Sequence, residues 1–334
     1  MKTNILLSIA VLLVAVLSMM IGSVEIPIDQ VFNAIVGKPV EKASWAYIVT
    51  DSRLPQTITA LLCGASLAAS GLLLQTAFHN PLAGPSILGI TNGASMGVSI
   101  VMLACGGVIG IGGNELFFSG FLATIVAAFI GAMVIIGIIL AFASIVKNNL
   151  MLLIIGIMVG YLSSSLVSLL YFFADVDDVH SFTMWGLGSF SNVSLAHLPW
   201  FAGVSLISLC IAILLIKPLN IIQLGDEYAT SLGINIKRTR RALLLSTGLL
   251  TAVATAFCGP ITFIGLAVPH IARLICRTSD HRTLLPATIL CGALIAVLCN
   301  IACVLPSNII IPINAVTPLF GAPVIIYILI RKRK

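Results

Sequence analysis

The chain has 334 residues, of which 59% are hydrophobic and 8% are Asp, Glu, Lys or Arg, and its mean hydropathy is +1.16. Water-soluble domains place charge at roughly 25% of positions, so a soluble enzyme or binding module is excluded and an integral membrane protein is indicated. The net charge of +6 is a signal of orientation and carries no nucleic-acid meaning.

A spanning helix needs about 20 apolar residues, and the apolar blocks predict ten spans. The first, 4–22, follows Lys2. Its apolar core is longer than the usual secretory signal and lacks a small-x-small cleavage site, so a retained helix is expected. The charge-free run from Leu54 to Asn114 holds spans 54–78 and 86–108. Gly64, Ala68 and Gly71 put a small-residue stripe on the second span, suited to close backbone approach where lipid gives no hydrophobic reward for helix association.

Spans 117–144 and 149–173 follow. The fifth carries Gly156 and Gly160 as GxxxG, then Tyr161, Ser164, Ser165 and Ser168 on one helical face, with Tyr171 beyond. That polar face is expected to front a translocation path; the alternative is serines bonding back to their own helix. Asp175, Asp177, Asp178 and His180 form an acidic cluster that reads as a solvated external loop, with oxygen ligation of a divalent cation as the lesser alternative. Span 197–216 leads to the longest inner loop, 224–241. There Gly225 and Gly233 bracket Asp226, Glu227, Tyr228, Ala229, Thr230, Ser231 and Leu232, the pattern of a short capped helix. Spans 242–258, 262–276, 284–304 and 316–330 complete the set. Pro85, Pro260 and Pro269 interrupt apolar segments, which membranes tolerate only under cover of protein or in a water-lined cavity. Gly84-Pro85 with Gly89, and Gly259-Pro260 with Gly265, occur in opposite halves, as an inverted repeat would give.

Ten spans with the N-terminus inside place fourteen basic residues in the cytoplasm, from Lys2 through Lys147 to the tail Arg331, Lys332, Arg333 and Lys334, against Lys38, Lys42 and Arg53 outside. The positive-inside bias therefore puts both termini in the cytoplasm. Most acidic residues, Glu115 among them, fall outside. The eight cysteines include no CxxC pair and read as small buried hydrophobes. No metal site and no cofactor are expected. Span centres carry no ionisable residue, which argues against the alternative of an ion-coupled secondary transporter. A Walker A sequence is also absent, so any pumping energy must enter through a partner.

The chain resembles the permease subunits of bacterial ABC importers for iron-siderophores, haem and cobalamin, the FecCD-type family. The markers are Arg53-Leu54-Pro55, Asn80-Pro81-Leu82-Ala83, Leu88-Gly89 with Gly93-Ala94, Leu224-Gly225 with Leu232-Gly233, Gly259-Pro260-Ile261, Phe263-Ile264-Gly265-Leu266, Val268-Pro269-His270, Asp280-His281-Arg282 and Gly321-Ala322-Pro323. The resemblance implies a type II ABC importer permease: all-α, about ten transmembrane helices per subunit, one permease domain over 1–334, and no catalytic residue of its own. It implies a second permease subunit, a copy in a homodimer or a close paralogue in a heterodimer, two ABC ATPase subunits that supply hydrolysis, and an extracytoplasmic substrate-binding protein. By the same resemblance Gly225, Asp226, Glu227, Tyr228, Ser231, Leu232 and Gly233 meet the ATPases, and Arg53 receives an acidic residue of the binding protein. The chain departs from the family pattern where Gln56 replaces a second arginine, where Cys303, Val304 and Leu305 end the ninth span without a basic residue, and at Asn314 and Pro318. Asn314 is expected to preserve a turn by adopting a left-handed backbone.

Overall fold

The computed structural model describes residues 2–105, 108–110, 117–146, 148–306 and 310–331. Glu115, Lys147 and Lys332 to Lys334, which enter the charge argument, lie outside the described residues. The elements in order are α1 (Lys2–Met20), α2 (Ile28–Val36), α3 (Ala43–Tyr47), a π-helical turn (Ile48–Arg53) that continues into α4 (Leu54–Ala77), and α5 (Ile90–Ser99) with a π-helical extension (Ile100–Ala104). Next come β1 (Val108–Gly110) and β2 (Phe117–Ser119), then α6 (Phe121–Ile145), α7 (Asn149–Phe173), α8 (Val176–Gly186), α9 (Leu198–Leu214) and α10 (Ile216–Ile222). The chain ends with α11 (Asp226–Ser231), α12 (Ile236–Cys258), α13 (Ile264–Cys276), α14 (His281–Val304) and α15 (Ile313–Arg331). The antiparallel β1–β2 pair, with Val108 opposite Ser119, is the exception to an all-helical reading.

Among the described residues, six helical stretches are long and apolar enough to cross a membrane: α1, the α3–α4 run Ala43–Ala77, α6, α7, α12 and α14. At about 1.5 Å per residue, the 25 residues of α6 or α7 exceed a hydrocarbon core of about 30 Å. Helices α9 and α10 make a seventh if the pair, bent by 47°, counts as one span. Three shorter apolar helices, Ile90–Ala104, Ile264–Cys276 and Ile313–Tyr327, occupy the predicted third, eighth and tenth spans. The third and eighth start late because the chain before them is irregular. Gly89 at φ 75° precedes α5, and Gly259 at φ 79° and Phe263 at φ 67° precede α13. These are the two Gly-Pro breaks that the sequence marks.

The chain divides into two compact units. The first comprises 1–69, 189–207 and 261–334, and so contains α1 to α3, the first part of α4, and α13 to α15. A close approach within it is that of α4 and α14, where a methyl added to Gly64 would overlap the Gly292 carbonyl and one added to Gly292 would overlap the Gly64 carbonyl. Ala68 and Ala296 flank the crossing. Backbones meet at this distance only through small residues, and dispersion between them then replaces the missing hydrophobic drive.

The second unit, 70–188 and 208–260, is built on the same rule. Gly93 and Gly97 of α5 lie against Gly131 and Ala127 of α6, and Gly156 and Gly160 of α7 receive Leu88 and Gly89. The GxxxG pair is thus a packing seat. On α12, Gly248 takes the side chain of Ile136 from α6. The buried hydroxyls of Ser70 and Thr251 meet at 2.8 Å, and Thr251 also donates to its own helix at Thr247 O, 2.9 Å, so these two hydroxyls are satisfied locally.

Candidate functional site

The loop 224–241 is closely specified by its own hydrogen bonds. Helix α11 begins after Gly225, whose φ of 109° and ψ of 151° suit glycine. Asp226 and Glu227 occupy its first turn, where carboxylates complement the exposed N–H groups of a helix start. Its end is a complete Schellman motif, in which Gly233 N donates to Thr230 O at 2.9 Å and Ile234 N to Ala229 O at 3.1 Å, with Gly233 at φ 80°. Asn235 then caps α12 by accepting from Arg238 N at 3.0 Å. The short helix expected from the glycine brackets is therefore present.

Two faces of α11 differ. Ala229 is fully buried, while Leu224, Tyr228 and Leu232 are 63%, 55% and 54% exposed. Tyr228 and Leu232, four residues apart, fall on one side of the helix, and Leu224 stands just before Gly225, together an apolar and aromatic surface of the kind that fills a groove in a partner. Asp226 Oδ2 accepts from Arg240 Nη2 at 3.0 Å. Of the four basic residues that follow the loop, Arg240 is the buried one and Lys237, Arg238 and Arg241 are exposed. Thr230 and Ser231 hydroxyls donate to the carbonyls of Asp226 and Glu227 within the helix.

Arg53 is 6% exposed. Its Nη1 donates to Met19 O and to Met20 O, each at 3.0 Å, and its Nη2 donates to Val24 O. The last carbonyls of α1 have no partner within their own helix, and a cation placed on them satisfies both their lone pairs and the dipole. Gly22 makes room, since a methyl there would overlap the guanidinium. In this conformation the guanidinium is turned inward as a brace.

Beside it, Gln56 Nε2 donates to Asn300 Oδ1 at 2.9 Å. Gln56, the departure at the start of the second span, is therefore paired with a neutral amide of the ninth, one turn before Cys303, Val304 and Leu305. With Arg53, Ser18, Ser52 and Ser191, the two amides line a recess of about 100 Å³. Asn314 corrects the expectation of a left-handed turn. It lies inside α15, is absent from the positive-φ residues, and its Oδ1 accepts from Thr262 N at 3.2 Å. A helical Asn whose side chain holds the neighbouring chain break does the work expected of a turn.

On α7, Tyr161, Ser164, Ser165 and Ser168 are all exposed. Ser168 donates back to Ser164 O at 3.0 Å, whereas Ser164 Oγ accepts from Asn92 Nδ2 at 3.3 Å, and Asn92 also donates to Gly160 O at 3.1 Å. Asn92 is the residue the sequence reading missed; a lone Asn in the charge-free third span was its signal. Tyr171 turns away to Thr183, 3.0 Å, and stacks edge-on with Phe182. Asp175 precedes α8, with Asp177 and Asp178 in its first turn.

A sequence profile of the FecCD transport family matches residues 10–331. The chain belongs to the FecCD transport family. The vitamin B12 import system permease protein BtuC of Klebsiella pneumoniae subsp. pneumoniae is 38% identical over 282 residues, 84% of this chain and 82% of that protein. BtuC of Citrobacter koseri is 35% identical over 330 residues, 98% of this chain and 94% of that one. A solved structure described as an inward-facing conformation of a transporter of the metal-chelate ABC type superposes with a TM-score of 0.85 at 29% identity, covering 99% of each chain. PsaBC from Streptococcus pneumoniae, solved with a Fab, matches with a TM-score of 0.55 at 16% identity over 82% of this chain and 90% of that one, a likeness of fold. The FecCD-family chain is thus an ABC importer permease with a type II permease fold, a multi-pass protein of the bacterial inner membrane. Members of the family are transport permeases and not enzymes.

Proposed function

We propose that the chain is the membrane-spanning subunit of an ATP-driven importer for a large metal chelate of the class that includes cobalamin, haem and ferric siderophores. The six long spans, the bent α9–α10 pair and the three shorter helices make ten crossings, with both termini in the cytoplasm and residues 1–334 acting as one permease domain. Two copies enclose the path, two separate ATPase subunits hydrolyse ATP, and an extracytoplasmic binding protein delivers the cargo. The B12 names of the relatives and the metal-chelate description of the solved neighbour support this cargo class.

The observation that carries the proposal is α11, a glycine-bounded helix with Tyr228 and Leu232 exposed on one side and Leu224 exposed just before it. Gly225, Asp226, Glu227, Tyr228, Ser231, Leu232 and Gly233 form the surface that meets the ATPases. Tyr161, Ser164, Ser165 and Ser168 front the path; exposed hydroxyls without a charge suit a cavity that must release a bulky cargo. In the docking role, a carboxylate of the binding protein competes with the three carbonyls that Arg53 already serves.

Co-expression with the cognate ATPase tests the reading. Wild type is expected to copurify with it and to support binding-protein-dependent uptake in proteoliposomes, and Tyr228→Ala with Leu232→Ala to lose the ATPase. Full copurification by that double variant would refute the coupling surface.

A further inference from the structure

We propose that Arg240 is a positioning residue for energy coupling: its ion pair with Asp226 joins α11 to the start of α12 as a single lever, so that force on α11 moves α12. This rests on the reading that the ATPases engage α11.

Helix α11 is six residues long and is entered and left through glycines at φ 109° and φ 80°. Neither glycine has a neighbour within 4 Å of where a Cβ would stand. No side chain packs against either glycine, so rotation there is resisted by the backbone hydrogen bonds of the flanking turns and the seat of Ala229, and part of a push on so short a helix would be taken up at these hinges. The contact between Arg240 Nη2 and Asp226 Oδ2 at 3.0 Å closes the loop from the first residue of α11 to the second turn of α12. Beyond that tie, α12 runs to Gly248, seated on Ile136 of α6, and Thr251, bonded to Ser70. Motion of the lever is delivered to these packed contacts.

The pair is poorly arranged for stability alone. The Arg240 side chain is 11% exposed and that of Asp226 42%, so the guanidinium is desolvated against a side chain that stays partly in water. Asp226 Oδ1 is buried without a hydrogen-bond partner among the described residues. Removing charges from water generally costs more than an imperfect pair returns, whereas fixing one register is the best-attested use of such a pair. A guanidinium also makes the tie directional in a way a lysine point charge does not.

The test uses the complete complex of permease, ATPases and binding protein in nanodiscs, with spin labels on Cys introduced at Glu227 and at Leu245 in an otherwise cysteine-free chain. A rigid lever keeps the distance between the labels single and unchanged between the nucleotide-free and the ADP-vanadate-trapped states. Arg240→Gln is expected to broaden that distance in the trapped state. It should also lower binding-protein stimulation of ATP hydrolysis by about tenfold, within the roughly 5- to 150-fold span of typical coupling between sites. The swap Asp226→Arg with Arg240→Asp should restore a single distance, and Arg240→Lys should fall between. If Arg240→Gln does not reach the membrane, Asp226→Asn, which is nearly isosteric, is read in its place. An unchanged distance and unchanged stimulation in an assembled complex overturn the lever and leave the ATPase surface standing. Loss of the ATPase surface itself is detected separately, by the copurification of the Tyr228→Ala, Leu232→Ala variant.

Discussion

Arg53 and Met19 are joined by a hydrogen bond of 3.0 Å from the guanidinium to the backbone carbonyl, 34 residues apart in sequence. The bond fixes the end of α1 to the residue before α4, and the same side chain holds Met20 and Val24. Hydrogen bonds to a charged donor contribute about 1.5 to 3 kcal/mol each, and buried carbonyls left bare add a penalty. Thermal unfolding in detergent should therefore show Arg53→Glu least stable, Arg53→Ala next, and Arg53→Lys closest to wild type, since Lys keeps the charge and loses the fork. Binding-protein affinity measured on the same variants separates brace from docking group. A brace lowers stability and affinity together, whereas a docking group lowers affinity in Arg53→Lys while leaving the melting temperature unchanged.

The crossing of α4 and α14 gives a steric prediction. Gly64→Val or Gly292→Val must push the two backbones apart, because each added side chain overlaps a carbonyl of the other helix rather than a side chain that could turn aside. Overpacking typically costs about 1 to 3 kcal/mol, more where backbone must move. Both variants should express poorly and melt early. Gly203→Val is the control, since nothing lies within 4 Å of its Cβ position. Equal stability of all three would refute the contact.

Gly233 isolates a conformational effect. Its φ is 80° and it faces open space, so Gly233→Ala meets no atom and is opposed only by the left-handed backbone. The cost should be about 1 to 2 kcal/mol, felt locally as fraying of α11, with faster hydrogen exchange at Gly233 and Ile234, the two donors of its closing motif. Gly186→Ala, with a similarly open site and no positive φ, should leave exchange there unaltered.

What the sequence made legible was local. The bounds of α11 follow from two glycines and an acidic first turn, and the helix seats at Gly64 and Gly156 follow from small-residue spacing. The inward turn of Arg53 was not legible, because its partners are backbone carbonyls, which any sequence supplies. The Gln56–Asn300 pair joins positions 244 apart, and no periodicity within either span selects its mate. Nor does the run of Lys237, Arg238, Arg240 and Arg241 disclose which cation is buried; that depends on where the α11 carboxylate comes to rest.

Topology is open to direct measurement. Single cysteines at Asn148 and Ser279 in a cysteine-free chain should label only from the cytoplasm, and one at Asp177 only from outside. Asn148 caps α7 and Asp177 lies in the first turn of α8, at opposite ends of the 25-residue α7. Outside labelling at Asn148 would invert the assignment of every loop and place α11 beyond reach of any ATPase.

The Gln56–Asn300 amide pair lends itself to a double-mutant cycle. Asn300 is buried and Gln56 partly so, and the donor and acceptor are 2.9 Å apart. Replacing one amide by Leu strands the other, which costs about 1 to 3 kcal/mol, while replacing both by apolar groups of similar size is close to neutral. Gln56→Leu and Asn300→Leu should each lower the melting temperature, and the double variant should recover most of the loss, a coupling of about 0.5 to 3 kcal/mol. Gln56→Arg asks a further question of the same recess. It restores the arginine of the family pattern beside Arg53, and two guanidiniums lining one recess repel unless an anion lies between them. Its stability should therefore rise with added sulfate, whereas that of wild type should not. A sulfate response of equal size in both proteins would show that the recess does not bring residue 56 near Arg53.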